Sequence, residues 1–349
     1  MMAHAAGADS RPGRHVATGQ EEAMTLSGGV DLGGTKIQTV VLDEAGKVLG
    51  AARNPTPTNG GPRDVVGAVA ATMREAAADA DVDTDDLAGV GVGSPGDVDD
   101  TAGTVTSARN LPGWNGSFAL ADELSDDLGT SISLGNDVNV ATMAEFELGA
   151  GAPYSSLLGV FWGTGVGGGL VLDGRLWLGR ASAGELGHMV VKLGGARCPC
   201  GRLGCLEAYA GRGAMEARAR KELAGGAKTE LFKIMEKRGR TRLTSGVFAR
   251  ALDHGDRLAT SVIDRAIEAL GAGIASAVNL LDLEAVIVGG GLGVRLGTPY
   301  VERIERAMMP HLFSDYRPPY VRVAALGDLG GAVGAALLVR SSQSGTTGR

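Results

Sequence analysis

One pattern limits the fold of this chain more than any other: strand, glycine turn, apolar strand, Asp turn and strand, occurring twice about 130 residues apart. The first copy runs from Val30 through Asp31-Leu-Gly-Gly-Thr-Lys36 into the apolar Ile37 to Leu42. It turns at Asp43 to Gly46 and resumes at Lys47-Val-Leu49. The second runs from Gly159-Val-Phe-Trp through Gly163-Thr-Gly-Val-Gly-Gly-Gly169 into Leu170-Val-Leu172. It turns at Asp173-Gly174 and resumes at Arg175-Leu-Trp-Leu178. Apolar runs bounded by Gly and Asp turns read as hairpins, and a repeat of this size implies a duplicated domain.

Helix and strand signals alternate around the two copies. Arg63 to Ala80 carries Val65, Val66, Val69 and Met73 at helical spacing. Ala88 to Val92 reads as a short buried strand closed by Gly93-Ser-Pro-Gly96. Ser117 to Leu128 reads as helix, Ser131 to Leu134 as strand, and Val140 to Leu148 as helix again. Thr260 to Leu281 is a long helix striped by Val262, Ile263, Ile267, Leu270, Ile274 and Val278. Ala285 to Val288 is a buried strand running into Gly289-Gly-Gly-Leu-Gly293, followed by a helix over Val301 to His311, a strand over Tyr320 to Ala324 and a closing helix over Ala332 to Val339. Such alternation means an α/β architecture.

Several function classes drop out early. A net charge of −7 gives a nucleic-acid partner no electrostatic support. No apolar run reaches the roughly 18 residues of a membrane span, so no membrane partner is expected and the cytoplasm is the expected compartment. Met1 to Ala23 is small, polar and aperiodic, unlike a signal peptide, and is expected to be a disordered extension with Met24 as an alternative start. Ser341 to Arg349 is expected to be a disordered tail. The P-loop pattern Gly-x-x-x-x-Gly-Lys-[Ser/Thr] is absent. Gly91, Gly93 and Gly96, and Gly163, Gly165 and Gly168, both satisfy Gly-x-Gly-x-x-Gly, but neither opens a helix, so neither reads as a dinucleotide site.

All three cysteines, Cys198, Cys200 and Cys205, lie in one short segment ten residues after His188. An odd count in a long acidic chain cannot staple it with disulfides. Three thiolates and one imidazole do complete a tetrahedral zinc site, and Gly201 and Gly204 let the backbone curl around one ion. Glu185 and Glu207 bracket the set, which suggests that the metal shapes a polar site.

Gly-Glu-x-Gly-His followed by Cys-x-Cys-Gly-x-x-Gly-Cys-x-Glu, over 184–207, resembles the ROK family of bacterial sugar kinases and sugar-responsive repressors. The likeness is strongest to the actinobacterial type of ATP-dependent glucokinase, and it extends from about Gly29 to Val339. With the repeat, it implies an α/β, actin/hexokinase/Hsp70-like two-domain fold with a central cleft and a zinc-binding segment. The division expected is a small domain over 24–134, completed by the C-terminal helix 327–340, and a large domain over 135–326 carrying the zinc site. The family is often dimeric, so a homodimer or higher homo-oligomer is expected.

The resemblance also assigns the glycine turns. Asp31-Leu-Gly33-Gly34-Thr35-Lys36 is similar to the family's first phosphate element, with bare backbone N–H groups and the Thr35 hydroxyl for phosphate oxygens. Asp31 would hold the magnesium that accompanies ATP, through water because magnesium dehydrates reluctantly. Gly163-Thr164-Gly165 would be the second element, and Gly289-Gly290-Gly291 the nucleotide-side element that favours ATP over polyphosphate as donor. Asn110-Leu-Pro-Gly-Trp114 resembles the sugar loop, and Asn136-Asp137, both expected to bind the sugar, carries the family's catalytic aspartate. The residue-level alternative for Asp137 is a helix cap, for which Asp is well suited. Glu185, His188 and Glu207 would bind the remaining hydroxyls, with His188 giving one ring nitrogen to zinc and the other to the sugar. Because the glycine turns lie elsewhere in sequence, loss of zinc is expected to weaken the sugar site and leave the nucleotide site alone.

The activity implied is ATP-dependent phosphorylation of the 6-hydroxyl of glucose. A kinase for N-acetylglucosamine, N-acetylmannosamine, mannose or fructose would use the same elements. A sugar-sensing repressor is disfavoured: the 30 residues before Asp31 lack helix periodicity and the chain is acidic. Two departures from the pattern are Val138, where many relatives have Ala, and Lys192-Leu193 in place of a more polar loop.

Overall fold

Both copies of the repeat form five-stranded sheets with the same strand order. In the first half the elements are β1 (Ser27–Leu32), β2 (Lys36–Leu42), β3 (Val48–Pro55), α1 (Pro62–Asp79), β4 (Val90–Ser94), β5 (Asp97–Asp99), β6 (Thr104–Thr106), β7 (Ser117–Phe118), α2 (Leu120–Leu128), β8 (Ile132–Asn136) and α3 (Asp137–Glu147). In the second they are β9 (Leu157–Trp162), β10 (Val166–Leu172), β11 (Arg175–Leu176), α4 (Glu207–Ala210), α5 (Arg212–Ala224), α6 (Leu231–Lys237), α7 (Ser245–Asp253), α8 (Arg257–Leu281), β12 (Ala285–Gly289), α9 (Gly290–Leu296), α10 (Thr298–Met308), β13 (Tyr320–Val323) and α11 (Gly330–Gln343). The sheets run β3-β2-β1-β4-β8 and β11-β10-β9-β12-β13. In each, the hairpin strands are antiparallel and the last three strands are parallel. The duplication read from the sequence is therefore a duplicated topology.

The computed structural model describes residues 25–343. The extension expected over 1–23 lies outside them, as do residues 344–349. The first three residues of the expected tail instead continue α11.

Register decides what meets at the sheet edges. Asp31 pairs opposite Gly93, Gly93 opposite Gly135, and Ser94 opposite Asn136. The C-terminal ends of β1, β4 and β8 thus present Asp31 and Asn136-Asp137 side by side, at the edge where α/β sheets collect ligands. In the second sheet Gly289 pairs opposite Phe161, which brings the turn after β9 against the turn after β12.

One expectation needs correction. Ser117 to Leu128 is not one helix: Ser117–Phe118 pairs with β6 in a three-stranded sheet, β5-β6-β7, and the helix starts at Leu120. Strands of two or three residues carry too little periodicity to be read from sequence. Trp114 anchors this insert, its indole N–H donating to Val105 O at 3.1 Å and its ring set edge-on to Phe118. Between Glu207 and Asp253 the structure has four helices, α4 to α7, where the sequence showed no strong stripe.

α3 and α11 join the two halves. α11 packs on β1, β4 and α3, while α3 packs on β9 and β10. The contact is possible only through glycine. A Cβ at Gly91 would lie 1.7 Å from Ala335 O, one at Gly29 would lie 2.0 Å from Ala332 O, and one at Gly334 would lie 1.9 Å from Val140 O. At the far end of α3 the buried Glu145 accepts from the backbone N–H groups of Ala150, Ala325 and Leu326 at 2.9, 2.9 and 2.8 Å. This carboxylate ties the end of α3 to the chain entering α11, and backbone donors offset its desolvation.

Gly91→Ala should therefore destabilise the protein by about 3 kcal/mol or more, the upper range for overpacking against rigid backbone. Gly67→Ala, on an open face of α1 with nothing within 4 Å of the new Cβ, should be neutral or stabilising. Urea denaturation of the two variants checks the pair. Equal midpoints would mean that α11 shifts freely.

Candidate active site

The first glycine turn closes on itself, Gly33 N–H donating to Lys36 O at 3.0 Å, and is pinned by the Thr56 hydroxyl, which donates to Gly33 O at 2.6 Å. Gly34 and Thr35 stay exposed. A Cβ on Gly34 would stand 2.8 Å from Asn110 O, so this turn lies directly against the exposed Asn110 loop. Lys36 is turned along the strand, donating to Gln38 Oε1 at 2.5 Å. Asp31 sits beneath the start of α11, where a Cβ on Gly331 would lie 2.8 Å from its Cγ. Burial raises the Asp31 pKa; Lys36 opposes the rise and Asp328 adds to it.

The helix-cap alternative for Asp137 does not hold, because Asn136 takes that job. Asn136 Oδ1 accepts from Val138 N at 3.1 Å and Asn139 N at 3.2 Å, capping α3. Asp137 is the first residue of the helix, half-buried, with Oδ1 accepting from Val138 N at 2.9 Å. Its pKa is pushed up to about 6, first by burial and then by the neighbouring Asp31 carboxylate, with Glu185 adding to the rise. Asp31, Asp137 and Glu185 therefore share one electrostatic neighbourhood although they come from three separate segments. Val138 faces β10, where the missing Cβ of Gly167 leaves the room its methyl groups fill.

The metal candidates also converge. The ligand atoms of His188, Cys198, Cys200 and Cys205 all lie within 4.8 Å of one another. His188 Nδ1 is 3.7 Å from Cys198 Sγ, and Cys200 Sγ is 3.8 Å from Cys205 Sγ. A tetrahedral ion with Zn–S bonds near 2.3 Å has edges of about 3.8 Å, so the spacing fits zinc. Nδ1 faces the thiols, while Nε2 points away, 3.9 Å from Glu185 Oε2. Cys198 and Cys205 are buried, and the bridges Val190–Cys205 and Arg197–Leu203 close the loop.

Glu207 stands between this cluster and the second glycine turn. Its Oε1 is 4.0 Å from Cys198 Sγ, and its Oε2 accepts from Val166 N at 3.0 Å. A Cβ at Gly165 would lie 2.2 Å from that oxygen, so only glycine fits there. The following residues hold the same turn: Arg212 N–H donates to Gly163 O at 3.2 Å, the Arg212 guanidinium to Thr164 Oγ1 at 2.7 Å, and Trp162 Nε1 to Ala210 O at 2.7 Å. Gly163 in turn adjoins the third element, its Cβ position 3.8 Å from Gly291 N, and Gly290 is packed on the Trp162 backbone. The premise that the glycine turns lie apart from the metal candidates is thus corrected. Remoteness in sequence did not mean remoteness in space, and the segment that follows the cysteines is the support of the Gly163–Gly165 turn. Arg212 itself carried no signal in the sequence beyond its place shortly after Glu207.

The described residues outside this region offer less. Surface depressions lie between α1 and residues 83–86 and between α5 and α8, and neither touches the candidate residues. No helix among the described residues is long and apolar enough to cross a membrane.

Comparison with known proteins gives a consistent picture. The sequence model of the ROK family matches residues 27–342. A glucokinase of Thermotoga maritima is 33% identical over 324 residues, covering 91% of this chain and 98% of the relative. An N-acetyl-D-glucosamine kinase of Escherichia coli is 31% identical over 324 residues, covering 89% and 98%. Among solved structures, a ROK family glucokinase from Streptomyces griseus in complex with glucose and AMPPNP superposes with a TM-score of 0.78 at 32% identity, covering 91% of this chain and 99% of that one.

The raised pKa of Asp137 has a thermodynamic consequence. Its folded value of about 6 lies above the ordinary carboxylate range, so the stability linked to its proton is full below about pH 4 and is lost as pH rises through about 6. Asp137→Asn in the ligand-free protein should therefore raise Tm at pH 7 to 8 while keeping the Asn136 cap, and the gain should shrink to nothing near pH 4. Thermal melts across that range test it. A gap independent of pH would remove the buried charge as its cause.

Proposed function

The chain belongs to the ROK family, and from that premise we propose that it is a sugar kinase transferring the γ-phosphoryl group of ATP to the 6-hydroxyl of glucose. The observation that carries this reading is the Asp137 carboxyl, freed from capping by Asn136 and raised to about 6. A general base must be ionised at working pH yet basic enough to take a hydroxyl proton as it is shed. The sugar oxygen attacks the γ-phosphorus, its proton passes to Asp137, and the bond to the bridging oxygen breaks to leave ADP. The exposed Gly34-Thr35 turn and the Gly163-Thr164-Gly165 turn, one from each sheet, supply backbone and hydroxyl donors to the phosphate oxygens. Gly289, Gly290 and Gly291 adjoin the second turn on the nucleotide side.

Asp31 is the residue to hold magnesium, which would neutralise phosphate charge. His188, Cys198, Cys200 and Cys205 fit zinc, which would lock the imidazole with Nε2 turned toward Glu185 and the sugar. Asn110, Glu185 and the oxygen of Glu207 not bound to Val166 N are the remaining partners for sugar hydroxyls. Asn136 acts indirectly, by placing Asp137. An N-acetylhexosamine as substrate is the second reading, supported by the likeness to the Escherichia coli enzyme. A coupled assay of the pure protein with ATP and glucose, galactose, mannose or N-acetylglucosamine decides between them. A site built to bond one hydroxyl rejects sugars that misplace it, so glucose should have the highest kcat/KM; a higher value on the N-acetylated sugar would overturn the substrate.

Asp137→Asn should retain glucose and ATP binding and lose at least about a hundredfold in kcat. In the wild type, kcat/KM for glucose should fall about tenfold per pH unit below about 6, as the base becomes protonated. Steady-state kinetics from pH 5 to 8 test both, and near-normal turnover of the variant would exclude Asp137 as base.

Metal removal should weaken both ligands. A chelator, or Cys200→Ser, frees His188 on the sugar side and loosens Glu207 and its grip on Val166 N on the phosphate side. Calorimetry of glucose and of ADP on folded, metal-free protein should show losses in both affinities. A loss confined to glucose would mean that the second glycine turn stands without its support.

A further inference from the structure

We propose that Arg212 is a binding residue for the phosphate chain of the nucleotide donor. The inference rests on the kinase reading and adds to it a cation that none of the sequence motifs supplied.

Arg212 opens α5 beside the second glycine turn. Its guanidinium donates to Thr164 Oγ1 at 2.7 Å, while its own N–H and that of Gly213 donate to Gly163 O and Thr164 O at 3.2 and 3.4 Å. The side chain is half-buried, and among the described residues it forms no ion pair. Glu216, one turn along α5, partly offsets the Arg212 charge but is already engaged. It accepts from Arg220 at 2.7 Å, from Arg242 at 3.1 Å and from Leu243 N at 2.9 Å.

The surroundings add positive potential. Arg242 Nη2 lies 3.8 Å from the Cβ position of Gly213, and its charge together with burial lowers the Arg212 pKa, burial being the larger cause. The first turn of α5 contains no acidic residue, so the positive end of this 13-residue helix faces only the neutral carbonyls of Gly163 and Thr164. A cation placed at a helix N-terminus, near a second cation and with only a hydroxyl as acceptor, is electrostatically unfavourable in the empty protein. An incoming anion reverses the sign of every one of these interactions. The guanidinium has five donors and spends one on Thr164, which leaves a planar fork suited to phosphate oxygens. Its location selects which anion. Thr164, which the guanidinium bonds, follows Gly163, whose Cβ position is 3.8 Å from Gly291 N, so the fork lies on the turn that adjoins the third glycine element. Those two elements are the ones assigned above to the phosphate chain and the nucleotide.

The alternative is that Arg212 only braces Thr164. The two roles separate by ligand. Calorimetry with adenosine, ADP, ATP and inorganic tripolyphosphate would be run on the wild type, Arg212→Gln and Arg212→Lys. A charge-assisted bond to phosphate is worth at least about tenfold in affinity. Arg212→Gln should therefore lose at least that for tripolyphosphate, ADP and ATP, with adenosine and glucose unchanged, and Arg212→Lys should recover part of the loss. Raising the salt concentration should shrink the difference between wild type and Gln variant. Unchanged phosphate affinity in the Gln variant overturns the proposal. So does an equal loss for adenosine and ATP, which is what a collapsed turn would produce. If the wild type binds tripolyphosphate through Arg212 but neither phosphorylates a hexose nor binds ATP, the kinase reading fails and the phosphate site stands. If it binds no phosphate compound, both fall.

Discussion

Everything in this molecule depends on a backbone-to-backbone contact between one helix and the rest. α11 lies on β1 and β4 at a distance that leaves no space for a Cβ at Gly29 or Gly91, and its other side meets α3 at Gly334 with equal closeness. Close approach of this kind maximises dispersion contacts and leaves little room to slide. Three backbone surfaces, a sheet and two helices, are thereby held in one register. Because Asp31 ends β1 and Asp137 begins α3, the same contact sets the separation of the two carboxylates. The Glu145 carboxylate repeats the constraint at the other end of α3 with three backbone donors. The two halves therefore meet through α3, which α11 holds against the first sheet and which itself packs on β9 and β10.

The site built on this contact is electrostatically costly when empty. Burial, then Asp31, with Glu185 adding, raises the proton affinity of Asp137, while burial raises that of Asp31 against Lys36. Across from them, positive groups gather at the second glycine turn. Negative charge on the acid side suits a hydroxyl that must lose a proton and a cation that must be held. Positive potential on the other suits phosphate.

Glu207 ties these environments together. One oxygen approaches Cys198 and the other accepts from Val166 N, so the loop that gathers three thiols and the turn that offers bare N–H groups share a single carboxylate. A metal in the first would stiffen the second without touching it. The physical path is short: Glu207 follows Cys205 by two residues, and its Oε2 accepts from Val166 N.

Sequence by itself determined the elements whose signal is local. The repeated hairpins, the glycine turns, the apolar stripe of α8 and the cluster of His188 with three cysteines are all written in spacing, because period, turn geometry and ligand count are properties of short stretches. It also singled out Asp137 as a candidate, through a motif. It could not show that Asn136 would be the cap and leave Asp137 free, since both residues cap helices equally well and only the backbone angle at the end of β8 chooses between them. The strands β5 to β7 were too short to have a period, and α4 to α7 lacked a strong one. Tertiary structure alone decided the pairing of distant segments: Gly34 against Asn110, Glu207 against Val166, Arg212 against Thr164. Such contacts follow from sheet order and from the close packing of α11. These sum over the whole chain, so no window of sequence contains them.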